Sequence, residues 1–159
     1  IKLTPEQMQW CKDLAIKRSG SMNHSETKNS INCFKTKDGW HRHYVGALGE
    51  LAYSIYSGKK IDTSIIGRGD DGTDFDNGVD VKTSSSKYRP DLLIFKKQYD
   101  RKIADSYVLA WLQLPTVELV GSISRNRFDE LKEIKNFGYG DSYIVNKTHL
   151  NKIIWNLEI

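Results

Sequence analysis

Gly72-Thr73-Asp74-Phe75-Asp76-Asn77-Gly78-Val79-Asp80-Val81-Lys82-Thr83-Ser84 is the stretch that decides how this 159-residue chain is read. Asn77-Gly78 is a strong tight-turn signal, and the residues on either side suit two short extended arms, so a hairpin is expected. On the second arm the two-residue period of a strand sends Asp80 and Lys82 to one face and Val81 to the other, toward the core. Asp74, on the first arm, can then lie across from Asp80. Two carboxylates beside a lysine offer hard oxygens to magnesium, with the Val81 carbonyl as a further donor. The Lys82 ammonium can orient the attacking water and steady charge growing on a phosphate.

Outward from this stretch, residues 44–57 carry Val45, Leu48, Leu51, Ala52 and Ile55 at helical intervals, with Gly58 where a helix would stop. Thr4-Pro5-Glu6-Gln7 has the form of a helix start, and Met8, Cys11, Leu14 and Ala15 share one face of the helix that follows to about residue 18. Residues 19–40 are mostly polar and read as an irregular connection. Downstream, a weak strand is expected over 60–66, then strands at 79–83 and 92–99. Two more, at 107–114 and 117–123, are separated by Pro115. Phe128, Leu131 and Ile134 mark a short helix, and 143–145 with 153–157 supply late strands. The expectation is one domain over 1–159, an α/β mixed sheet flanked by helices, with 1–43 a basic N-terminal helix and loop and 44–159 the core.

The charge is unevenly placed. The net charge is +4, and all of that excess is present before residue 43. Asp62, Asp70, Asp71, Asp74, Asp76 and Asp80 then face Arg68, and from Lys82 to Lys102 basic residues predominate. An acidic segment abutting a basic one suits a site that holds a cation and a polyanion together. The two cysteines, Cys11 and Cys33, are too few for a disulfide framework. Cys33, His41 and His43, taken with Cys11 or His24, fit no zinc spacing. No apolar run is long enough to span a bilayer, and residues 1–18 lack a signal core, so a cytoplasmic protein without a membrane partner is expected.

Glu50 within Gly46-Ala47-Leu48-Gly49-Glu50-Leu51-Ala52, then Asp74, then Asp80-Val81-Lys82-Thr83-Ser84, resembles the ordered motifs of the PD-(D/E)XK nuclease superfamily, in its small phage and bacterial forms. The likeness covers about residues 45–121. It implies a restriction-endonuclease-like fold with an extra N-terminal helix and a magnesium-dependent deoxyribonuclease, an endonuclease, in which manganese can substitute. It also implies Asp74 and Asp80 as principal ligands, Glu50 as a further ligand or metal-water contact, and Lys82 as the catalytic lysine. Thr73 stands where the family has proline, and Asp80 follows Asp74 by only six positions, so Asp70, Asp71 and Asp76 stay open as alternatives to Asp74.

Thr83, Ser84, Lys87, Arg89, Lys96 and Lys97 are the candidate nucleic-acid contacts, with Arg101 and Lys102 beside them, and Tyr107 and Trp111 are expected in the core. DNA is the expected partner, with RNA open. A homodimer would serve cleavage of both strands. The compartment is the host cytoplasm if the protein is phage-encoded. The rival reading is a non-catalytic nucleic-acid-binding protein that keeps the fold.

Overall fold

The structure, a computed structural model, describes residues 1–21, 40–63, 73–101 and 103–154, with the side chains of residues 20 and 21 left aside. Its elements in order are α1 (Pro5–Ser21), α2 (His41–Ser57), β1 (Val79–Ser84), β2 (Leu92–Phe95), α3 (Lys96–Arg101), β3 (Ser106–Gln113), β4 (Thr116–Ser124), α4 (Arg125–Leu131), β5 (Glu133–Asn136) and β6 (Asp141–Val145). A 3₁₀ turn at Lys147–His149 follows. This is a mixed α/β arrangement in which the strands form two three-stranded sheets, ordered β1-β3-β4 and β2-β6-β5, where a single sheet was expected. In the first, β1 runs parallel to β3 and β3 antiparallel to β4; the second is antiparallel throughout.

The start of α1 and the end of α2 follow local chemistry. Thr4 and Gln7 exchange reciprocal bonds, Thr4 N–H donating to Gln7 Oε1 at 2.8 Å and Gln7 N–H to Thr4 Oγ1 at 3.2 Å, so α1 opens with a capping box. Gly58 ends α2 in the left-handed conformation, φ 70°, its N–H donating to the Ser54 carbonyl at 2.9 Å.

Alternation along β3 divides the interior in two. Val108, Ala110 and Leu112 join Val79, Val81 and Val117 under α1 and α2, against Cys11, Leu14, Leu48 and Ala52. Tyr107 and Leu109 point to the opposite face, where Leu92, Ile94, Tyr99, Phe128, Tyr143 and Val145 form a second core. A strand buried on both faces is apolar at nearly every position, which is why 107–114 reads as a continuous apolar run.

Four local expectations need correction. The 92–99 run divides: Leu92 and Ile94 are buried by strand alternation, but continuing that alternation would bury Lys96. The chain turns helical instead, placing Tyr99 inside and pairing Lys96 with Asp100 one turn on. Ile134 belongs to β5 rather than to the preceding helix, which stops at Leu131. Residues 58–63 form no strand, and the rest of the 60–66 expectation lies outside the described residues. Toward the end, Asn151 makes one isolated bridge to Ser122, residues 152–154 form no strand, and 155–159 lie outside the described residues.

Candidate active site

The stretch quoted at the outset turns where expected but in a different phase. Gly78 N–H donates to the Phe75 carbonyl at 3.1 Å, so Asn77-Gly78 occupies the last two positions of the turn and not its centre. Gly78 has φ 72°, and among the described residues no non-glycine has positive φ, which excludes the type I′ geometry. The first arm is no strand; it is held by Asp74 N–H donating to the Val79 carbonyl at 3.0 Å. A Cβ on Gly78 would stand 2.1 Å from Asp105 Oδ2, a second reason for glycine there.

Packing then delivers the acids to one another. Phe75 is buried with its ring edge-on to Tyr53 of α2, centroids 4.8 Å apart, and Asn77 Nδ2 donates to the Tyr53 hydroxyl at 3.3 Å. Tyr53 follows Glu50 by three residues and shares its side of the helix. Anchoring Phe75 on Tyr53 therefore sets its neighbour Asp74 beside Glu50. Gly49 allows α2 to approach β1: a Cβ there would lie 2.0 Å from Thr83 Oγ1 and 3.0 Å from Thr83 Cβ. Because β1 is an edge of its sheet, Glu50 from the helix face and Asp80 from the opposite face can both approach Asp74 around its rim.

Glu50 is 7% exposed and Asp80 5%, among the few buried polar side chains of the described residues. Each carboxylate is engaged by a donor. Asp80 Oδ2 lies 2.7 Å from Lys82 Nζ. Asp74 Oδ2 accepts the Val81 N–H at 2.7 Å. Since N–H and C=O of one strand residue point to the same side, the Val81 carbonyl also faces this free edge. Glu50 is gripped by a residue that the motif reading missed: Arg18 of α1 donates from Nη1 to Oε1 and from Nη2 to Oε2, both at 3.0 Å. Arg18 Nη2 also donates to the Asp62 carbonyl at 2.9 Å, and Asp62 N–H donates to the Asp74 carbonyl at 3.4 Å, so the same arginine steadies the segment beside Asp74. A sequence signal for it exists, because Arg18 continues the Cys11, Leu14, Ala15 stripe by helical spacing.

Burial, with the Glu50 and Asp80 carboxylates close by, raises the Asp74 carboxyl well above its ordinary range; the Val81 N–H and Lys82 pull the other way without prevailing. Burial and Glu50 likewise push the Cys11 thiol up to about 12. His43 of α2 feels Arg18 as well: burial, then Arg18 and Arg42, hold its imidazole below the usual value.

Among the described residues no three His, Cys, Asp or Glu side chains stand ready to hold a metal ion. The Asp74 and Asp80 carboxylates and the Val81 carbonyl are hard oxygen donors, the kind that could take a divalent cation. Of the alternatives to Asp74, Asp76 is exposed and pairs with Lys59 at 2.9 Å, and Asp70 and Asp71 lie outside the described residues. Cys33 and His24 also lie outside them.

The expected nucleic-acid contacts have mixed placements. Thr83 Oγ1 is buried against Gly49 on the helix side without a hydrogen-bond partner, away from the face of Asp80 and Lys82. Ser84 bonds Ser86 within a polar turn. Arg89 pairs with Glu118 at 2.6 Å and Lys96 with Asp100 at 2.6 Å, while Lys87 lies over the Tyr88 ring and Lys97 is exposed. Tyr107 is buried as expected; Trp111 is partly buried and donates from Nε1 to the Ser86 carbonyl at 2.9 Å. Lys102 lies outside the described residues. No helix of the described residues is long and apolar enough to cross a membrane.

No protein-family model, curated protein or solved structure matches the chain.

Proposed function

We propose that the chain is a divalent-metal-dependent nuclease of the PD-(D/E)XK, restriction-endonuclease-like type, hydrolysing phosphodiester bonds of DNA. The observation that carries this reading is a buried Asp74 with the Glu50 and Asp80 carboxylates each close enough to act on it, and the Lys82 ammonium 2.7 Å from Asp80 Oδ2. Acids from a helix, a turn and an edge strand gathered beside one lysine are costly to assemble, because each buried carboxylate must be compensated. Functional sites keep such costs.

In this reading Asp74, Asp80 and the Val81 carbonyl would hold magnesium or manganese, which supplies Lewis-acid activation of water and phosphate. Lys82, its Nζ 2.7 Å from Asp80 Oδ2 and its side chain 15% exposed, aims Asp80 and presents positive charge to the scissile phosphate. Glu50, held by Arg18, stands behind Asp74. Lys87, Arg89, Lys96 and Lys97 follow β1 in sequence and supply cations for the DNA backbone, with Arg89 and Lys96 first exchanging their acidic partners for phosphates.

The test is cleavage of plasmid and oligonucleotide DNA in magnesium by Lys82→Ala and Asp80→Ala. Each substitution is expected to lower the rate by on the order of a hundredfold or more. Wild-type rates from both variants would overturn the assignment, as would full activity in EDTA.

A second reading, a non-catalytic nucleic-acid-binding protein with this arrangement of residues, draws support from one observation. Arg18 and Lys82 already balance two of the three acids, and no ligand cage stands ready among the described residues. Salt-dependent DNA binding without cleavage in any divalent metal would favour it.

A further inference from the structure

Arg18 and Glu50 are 32 residues apart, on two different helices, yet they meet as a two-bonded fork at 3.0 Å and 3.0 Å. The Arg18 side chain is 20% exposed and that of Glu50 9%. A guanidinium matched to a carboxylate in this geometry is a strong, directional contact, and its third bond, to the Asp62 carbonyl, removes freedom to swing away. Lys82 meets Asp80 through a single contact at 2.7 Å, which leaves the second Asp80 oxygen outside that pair. Three carboxylates and two cations leave the centre with one net negative charge when all are ionised.

We propose that Arg18 is a positioning residue that neutralises Glu50, so that the centre's cation-binding charge comes from Asp74 and Asp80 while Glu50 acts by its place and not as a metal ligand. The inference rests on the nuclease reading and deepens it. It makes the N-terminal helix a working part of the site. Cation affinity of carboxylate sites is tuned by charge count, so Arg18 holds that affinity down and lets the site exchange its metal. The fork also keeps Glu50 from collapsing onto the ion.

The experiment is calorimetric titration of the metal-free, full-length protein with MnCl2, with no DNA present. Arg18→Met keeps much of the aliphatic stem and removes the charge; it is expected to bind Mn2+ on the order of tenfold more tightly than wild type. Arg18→Met with Glu50→Gln removes one charge of each sign, and replacing both members of a buried pair is well tolerated in folding. This double variant is expected to bind within about threefold of wild type, since net charge is conserved and no ligand is lost. DNA cleavage should fall in both proteins, because in both Glu50 has lost the guanidinium that holds it in place.

Equal affinities for Arg18→Met and wild type would overturn the inference and leave the nuclease reading intact. So would a double variant weakened more than tenfold, which would make Glu50 a true ligand. If Arg18→Met fails to fold, the double variant decides alone. No binding heat from any of the proteins would overturn the inference and the metal-dependent reading together.

Discussion

Gly46 and Gly49 stand three residues apart in α2, one partly and one fully buried, and the same substitution is expected to have opposite signs at the two positions. Alanine in a helix interior is favoured over glycine by about 0.5–1 kcal/mol on conformational grounds alone. At Gly46 a Cβ meets its nearest neighbour, Glu50 Oε1, at 3.7 Å, an ordinary contact, so Gly46→Ala should stabilise by about that amount. At Gly49 the new Cβ would lie 2.0 Å from Thr83 Oγ1 and 3.0 Å from both Thr83 Cβ and Cγ2. Rotating the threonine relieves the first contact. It does nothing for the Cβ, which moves only with the backbone of β1. Overpacking of this kind costs about 1–3 kcal/mol, enough to outweigh the propensity gain. Set against the propensity gain, the net loss is about 1 kcal/mol, which for a chain of this length lowers Tm by roughly 3 °C.

Urea unfolding of wild type, Gly46→Ala, Gly49→Ala and Gly49→Ala with Thr83→Ala measures the effect. The double variant removes Oγ1 and Cγ2 and should recover part of the loss. Because Glu50 adjoins Gly49, cleavage should fall with Gly49→Ala even where the protein stays folded. A Gly49→Ala protein as stable as Gly46→Ala would refute the close helix-to-strand approach on which the site geometry depends.

Folded protein holds a proton on Asp74 more firmly than the unfolded chain does, so its ionisation costs stability; the cost is absent below the ordinary carboxylate value of 3.8 and complete above the raised folded value. Asp74→Asn, which retains an acceptor for Val81 N–H, should therefore melt higher than wild type at pH 8 in metal-free buffer, with the gap closing as pH falls toward 3.8; a lower melting temperature at pH 8 would contradict this. The Cys11 thiol, wholly buried and pushed up to about 12, should resist a disulfide reagent at pH 8 in a Cys33→Ser background and react once urea unfolds the chain; rapid native reaction would show that α1 does not cover it. Magnesium at one hundred times its Kd should stabilise by about 2.7 kcal/mol, visible as a rise in Tm that EDTA reverses, and an unchanged Tm would count against a metal site.

What the sequence determined by itself is what covalent geometry and neighbouring residues dictate. The two-residue period put Val79 and Val81 into one core and left Asp80 and Lys82 together on the other face, where they form an ion pair. Thr4 with Gln7, and Gly58, marked helix ends because caps are made within a few residues. The turn at Gly78 was legible, but not its phase, since Asn77-Gly78 suits more than one turn and the anchoring of Phe75 and Asn77 on Tyr53 selects this one. The division of 92–99 into strand and helix was likewise settled by which side chains the second core admits.

Tertiary structure alone decided that Glu50, Asp74 and Asp80 interact, and that Arg18 closes on Glu50 across 32 residues of chain. Helical spacing placed Arg18 on the inward stripe of α1, and nothing local said what it would meet there. The physical reason is range: hydrogen-bond caps and side-chain periods act within a turn or two, whereas the distance between two buried charges is set by how closely whole elements pack, here by a glycine at one helix position.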